Sequence, residues 1–131
     1  MAAVGACDFH TLNIFFHSQV LIVDLDVHQG DGTAFMFQDD PSVFTLSVHN
    51  AKNFPLTKQQ SDLDVALADK VGDEEYLKMV VDVLPSVVDA FQPDLVLYDA
   101  GVSIRCIVPF QKITEELFLC DWLILSCFQM P

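Results

Sequence analysis

The chain has 131 residues, 52% of them apolar and eleven of them Phe, which is enough for one domain with a real core and excludes disorder for its bulk. A net charge of −13 excludes nucleic acid as a direct ligand; such an acidic surface serves solubility first and attraction of a basic peptide second. Cys7, Cys106, Cys120 and Cys127 form no CxxC pair and no zinc-ribbon spacing, and no basic segment precedes an apolar one, so reduced thiols inside a cell are expected, in nucleus or cytoplasm, with an organelle left open.

In chain order, MAAVGACDFHTLNIFFHSQ lacks arginine, which weakens a transit-peptide reading. VLIVDLD is apolar until its end, the pattern of a strand buried on both faces of a parallel sheet. A short helix is expected over Thr33 to Phe37, then a turn at QDDPS. VFTLSVHN (Val43 to Asn50) is the second strand. A long polar loop follows between Asn50 and Gly72, with a short strand around Val65. Asp73 is placed to cap a helix whose Tyr76, Leu77, Val80, Val81, Leu84, Val87, Val88 and Phe91 repeat every three or four residues. Pro85 should kink or split it. DLVLYDAGV (Asp94 to Val102) is the next strand. The tail LFLCDWLILSCFQMP is apolar but short and broken by Asp121, whereas a membrane span needs roughly 20 apolar residues. The order β-α-β-loop-α-β predicts an α/β layered fold with a mainly parallel sheet, and a site at the strands' carboxyl ends.

The chemistry concentrates in VLIVDLDVHQGDGTA. Side chains two apart on a strand share a face, so Asp24, Asp26 and His28 should converge at the strand's exit. Carboxylate oxygen with imidazole nitrogen suits zinc or another borderline cation. Gly30 and Gly32 are free to adopt positive φ, with Asp31 turned back toward the site. A capped strand end followed by a solvated turn is the plainer alternative.

DLDVHQGDGTA resembles the signature of the zinc-dependent histone deacetylase family, on the arginase/deacetylase three-layer α/β fold, and Gln29 resembles its class IV branch and bacterial relatives. The likeness continues through VFTLSVHNAKNFP, SDLDVAL, GDEEYLKMV and FQPDLVLYDAGV. It spans Val20 to Val102 and divides the chain into a divergent segment 1–19, a partial deacetylase domain 20–102 and a divergent tail 103–131. The resemblance implies that Asp26 and His28 are zinc ligands. It implies that Asp24 contributes to a potassium site with Ser47 and the Val48 carbonyl, that Asp24 and Asp31 orient a catalytic histidine pair, and that Phe54 lines the acyl-lysine channel. The implied reaction is zinc-dependent hydrolysis of an acetyl-lysine amide in a protein substrate.

The chain departs from that pattern. Where the family has an aspartate after AGV as third zinc ligand, this sequence has Ser103, with Cys106 three residues on. No His-His pair occurs; His10 and His17 read as ordinary histidines, and His49 as packed beside Ser47. The glycine-rich segment with the oxyanion tyrosine is also missing. The expectation is a fragment or isoform, cut on both flanks, that is inactive alone, holds zinc weakly, exposes new sheet edges and leaves Asp24 and Asp31 without histidine partners. Two other functions fit: a non-catalytic isoform that binds a partner or competes with the full-length enzyme, and, more remotely, a haloacid-dehalogenase-like phosphatase using Asp24, Asp26 and Mg²⁺.

Overall fold

The computed structural model describes residues 19–99 and the backbone of Leu123–Cys127. In chain order the elements are β1 (Val20–Asp24), α1 (Asp31–Phe37), β2 (Val43–Asn50), β3 (Leu63–Leu67), α2 (Asp73–Phe91), β4 (Leu95–Asp99) and β5 (Leu123–Cys127). They form one parallel sheet in the order β3-β2-β1-β4-β5. This is the expected α/β architecture. From β1 the chain builds outward through β2 to β3, then returns to β4 on the other side. The strand order reverses between β1 and β4, and the carboxyl ends of strands at such a point are where open α/β sheets bind their ligands.

The core lies between the sheet and α2. Leu21, Val23 and Leu25 interdigitate with Tyr76, Val80, Leu84, Val87 and Val88, joined by Leu46, Val48, Val96 and Tyr98. Burial on β1 alternates: Leu21 and Val23 are buried, while Val20 and Ile22 on the opposite face are half-buried. The expectation of a strand covered on both faces therefore holds for β2, which is buried from Thr45 to His49, and only half holds for β1. Tyr76 ties helix to strand at the upper end, its hydroxyl donating to the Leu25 carbonyl at 3.3 Å.

Helix α2 differs from expectation at two points. Gly72 occupies the cap position and Asp73 is the first helical residue, joined by Glu74 and Glu75 in the first turn, where negative charge suits the dipole. Pro85 does not split the helix, which runs unbroken to Phe91. Pro85 itself is exposed, so the Val81 carbonyl that loses its partner is on the wetter side, while Leu84, Val87 and Val88 hold both halves against the sheet. Gln92, in the left-handed region at φ 51°, ends it by donating its N–H to the Val88 carbonyl. Leu84→Ala, at 3% exposure the middle of the α2 contact, should cost about 2–5 kcal/mol, read as a lower urea midpoint with an unchanged slope.

The tail supplies β5, which pairs with β4 in register from Leu95↔Leu123 to Asp99↔Cys127. Among the described residues the sheet edges are therefore β3 and β5, and β4 is interior.

Candidate metal centre

β1 ends earlier than its apolar run suggests, and the reason is the motif itself. Leu25 still donates its N–H to the Asp99 carbonyl at 3.0 Å, but the next amides turn to side chains. Asp24 Oδ1 accepts the Asp26 N–H at 2.9 Å, and Asp26 Oδ1 accepts the His28 N–H at 2.8 Å. These are two consecutive Asx-type turns, in which a carboxylate caps the amide two residues on. The alternate spacing of Asp24, Asp26 and His28 is what such a pair of turns requires.

The turns bring Asp26 and His28 together: His28 Nδ1 lies 2.8 Å from Asp26 Oδ1, on side chains 41% and 18% exposed respectively. Asp24 does not join them. Convergence of all three was expected from an extended strand, but β1 stops at Asp24, and beyond it the Asx turns, not the pleat, set direction. Among the described residues no group of three His, Cys, Asp or Glu side chains is placed to hold one metal ion. An imidazole nitrogen beside a carboxylate oxygen fits Zn²⁺ in kind, and the pair falls one ligand short of a zinc site in number. Ser103 and Cys106 lie outside the described residues, as do His10 and His17.

Asp24 points toward Gly30. A Cβ built on Gly30 would stand 2.2 Å from Asp24 Oδ2 and 3.3 Å from its Cγ. The glycine is needed for this close approach and not for the positive φ expected from the sequence: Gly30 has φ −72°, and Gly32 lies inside α1. Since Asp24 Oδ1 is already committed to the Asp26 amide, the carboxylate cannot swing aside freely. Gly30→Ala should cost about 1–3 kcal/mol by overpacking and lower the melting temperature, whereas Gly32→Ala, with nothing within 4 Å of its built Cβ, should not destabilise.

Register places Asp24 abreast of Ser47 on β2 and of Asp99 on β4. Burial pushes the Asp24 carboxyl up from 3.8 to about 6; the Asp26 N–H opposes this, and the negative charges of Asp99 and Asp26 add to it. Ser47 is buried at 3% exposure, its Oγ 3.1 Å from His49 Nδ1, so His49 packs beside Ser47 as expected. Burial lowers the His49 pKa, against the nearby Asp64 charge. Val48 follows, buried, in β2. Asp31 opens α1; among the described residues no hydrogen bond or ion pair joins its carboxylate to Asp24, Asp26 or His28. Phe54 stands beside the Asp26–His28 pair, its ring centroid 6.4 Å from that of His28 at 72°, and its carbonyl accepts the Gln29 N–H at 3.3 Å.

Three features here escaped the sequence reading. Asp99 sits inside a quoted motif, and only the register of two distant strands shows it beside Asp24. Gln29 is buried and saturated: its amide nitrogen donates to the Gln59 carbonyl and to Asp64 Oδ1, each at 2.8 Å, and its oxygen accepts the Gln59 N–H at 2.9 Å. Lys58 bends inward to two loop carbonyls. A glutamine after His28 was visible; that it grips a loop thirty residues away was not.

A parallel sheet with an Asp–His pair beyond β1, at its switch point, defines the class, an α/β layered domain. The family model for the histone deacetylase domain matches residues 2–112, and the chain belongs to that family. It is 57% identical over 85 residues to an uncharacterized protein of Picosynechococcus, a match covering 65% of this chain and 28% of that protein. It is 32% identical to histone deacetylase 2 of Arabidopsis thaliana, covering 76% of this chain and 29% of the relative, and 32% identical to human histone deacetylase 9, covering 76% and 12%. The chain thus spans less than a third of the length of these relatives.

Proposed function

We propose that this chain is a partial lysine deacetylase domain whose Asp26–His28 pair holds Zn²⁺ weakly, and which does not by itself hydrolyse acetyl-lysine. The observation that carries the proposal is the pairing of Asp26 with His28 at the switch point, in a family whose pattern calls for a carboxylate where this sequence has Ser103. In this reading Asp26 and His28 would hold the ion, and Asp26, by accepting the His28 amide, fixes the ligand backbone. Phe54 forms a wall for the acylated lysine side chain. Asp24, Ser47 and the Val48 carbonyl are oxygen donors suited to K⁺, and Asp31 is an orienting carboxylate. Zinc, when bound, supplies Lewis-acid polarisation of an amide carbonyl; a hydroxyl at position 103 is a weak third donor compared with a carboxylate. The class IV-like assignment rests on Gln29. Substrates are acetyl-lysine proteins by analogy with the relatives' names, and relatives named chloroplastic single out an organelle among the compartments to be tested. Among the described residues no helix is long and apolar enough to cross a membrane.

The test is acetate release from an acetyl-lysine peptide by the 131-residue chain with added Zn²⁺. The expected result is no turnover above the blank. Zinc-dependent turnover that Asp26→Ala abolishes would refute the inactivity.

A further inference from the structure

The segment carrying Phe54 has no secondary structure of its own between β2 and β3, yet its placement is tightly specified. Lys58 Nζ donates to the carbonyl of Asn53 and to that of Pro55, the residues on either side of Phe54. One ammonium thus straddles the aromatic residue and closes the loop on itself. The adjacent residue, Gln59, is held in turn by the buried Gln29, through both its N–H and its carbonyl. Gln29 directly follows His28. The Gln29 backbone N–H completes the ring by donating to the Phe54 carbonyl. The outcome is an exposed residue, Phe54 at 66%, whose ring nevertheless stands edge-on to the His28 imidazole.

We propose that Lys58 is a positioning residue: by bridging the carbonyls that flank Phe54, and being anchored through Gln59 to Gln29, it fixes the Phe54 ring against the His28 side of the centre. This rests on the reading of His28 as metal ligand and Phe54 as channel wall, but the clamp itself concerns only the protein. An exposed phenyl ring without such a clamp would sample several rotamers and leave the wall undefined. A lysine suits the task because its ammonium offers three donors on a flexible stem, and charge-assisted bonds to carbonyls are the stronger kind.

The experiment compares the full chain with Lys58→Met, Lys58→Arg and Phe54→Leu. Amide exchange is followed at Asn53, Phe54 and Gln29, and the His28 ring-proton resonances by NMR, with melting temperature as a check on the fold. Phe54→Leu defines the ring-current contribution of the phenyl group to His28. Lys58→Met should shift the His28 resonances in the same direction and raise exchange at the Gln29 amide about tenfold or more, the effect of losing a charged hydrogen bond in one local unit. Lys58→Arg, which still spans two carbonyls, should restore both. If Lys58→Met does not fold cooperatively, Lys58→Leu, which also has no donor, carries the same comparison. Native exchange and native His28 shifts in a folded Lys58→Met protein would overturn the clamp. Zinc titration of the unaltered chain separates the two claims: His28 resonances unmoved by Zn²⁺ count against the metal reading, while the variants still decide the clamp.

Discussion

Ser103→Asp should tighten Zn²⁺ binding by the 131-residue chain by about 100-fold or more. Losing even an outer-shell partner of a metal ligand costs about 10–100-fold in affinity, and a missing ligand costs at least that much. The structure already supplies one nitrogen and one oxygen donor within 2.8 Å of each other. A carboxylate in place of the Ser103 hydroxyl adds the third donor and a negative charge. Competition with a chromophoric chelator reads the change directly, about 2.7 kcal/mol for 100-fold. Asp26→Ala placed on top of Ser103→Asp should return the affinity to that of the parent chain. An affinity indifferent to Ser103→Asp would mean that position 103 does not face the pair, and the account of the departure would fail.

The metal-free chain should lose stability as pH rises from about 4 to about 7, opposite to the usual behaviour of a surface carboxylate. Asp24 has a folded pKa of about 6 against an unfolded value of 3.8. Between these values the folded state binds more protons than the unfolded state, so the free energy of unfolding falls with increasing pH. The Asp24 contribution is fully present below the unfolded value and lost above the folded one. About two pKa units correspond to about 3 kcal/mol. Asp24→Asn keeps an oxygen for the Asp26 amide and the shape beside Gly30 while removing the charge, so it should flatten the profile and stabilise the protein at pH 7. Potassium chloride, compared with tetramethylammonium chloride at equal ionic strength, should reduce the slope if K⁺ settles beside Asp24 and Ser47. Urea titrations at four pH values decide the matter; equal slopes for the parent chain and Asp24→Asn would refute the role of Asp24.

The sheet was legible in the sequence to the extent that apolar runs and their terminators were local. VFTLSVHN coincides with β2 residue for residue, and the three- and four-residue repeat from Tyr76 to Phe91 lies within α2. The short strand around Val65 is β3. Boundaries failed where a side chain competed with the backbone: β1 ends at Asp24 because Asp24 and Asp26 take the amides that would have continued the ladder. Pro85 does not split α2, because tertiary packing of Leu84 and Val88 outweighs one lost hydrogen bond. The candidate site was legible as residue types, since Asp26 and His28 do meet, but not as geometry. The exclusion of Asp24 from the pair and its closeness to Gly30 and Asp99 arise from turn direction and from register between strands more than seventy residues apart. The Gln29 and Lys58 clamps are likewise contacts to backbone atoms, which no pattern of side chains announces.

The most direct test of the central claim is the zinc content and affinity of the purified 131-residue chain, by metal analysis and chelator competition, beside Asp26→Ala and His28→Ala. Weak binding that either substitution abolishes is the predicted result. Tight one-to-one binding would contradict it, since a third ligand would then complete the site despite Ser103, and so would binding indifferent to both Asp26 and His28.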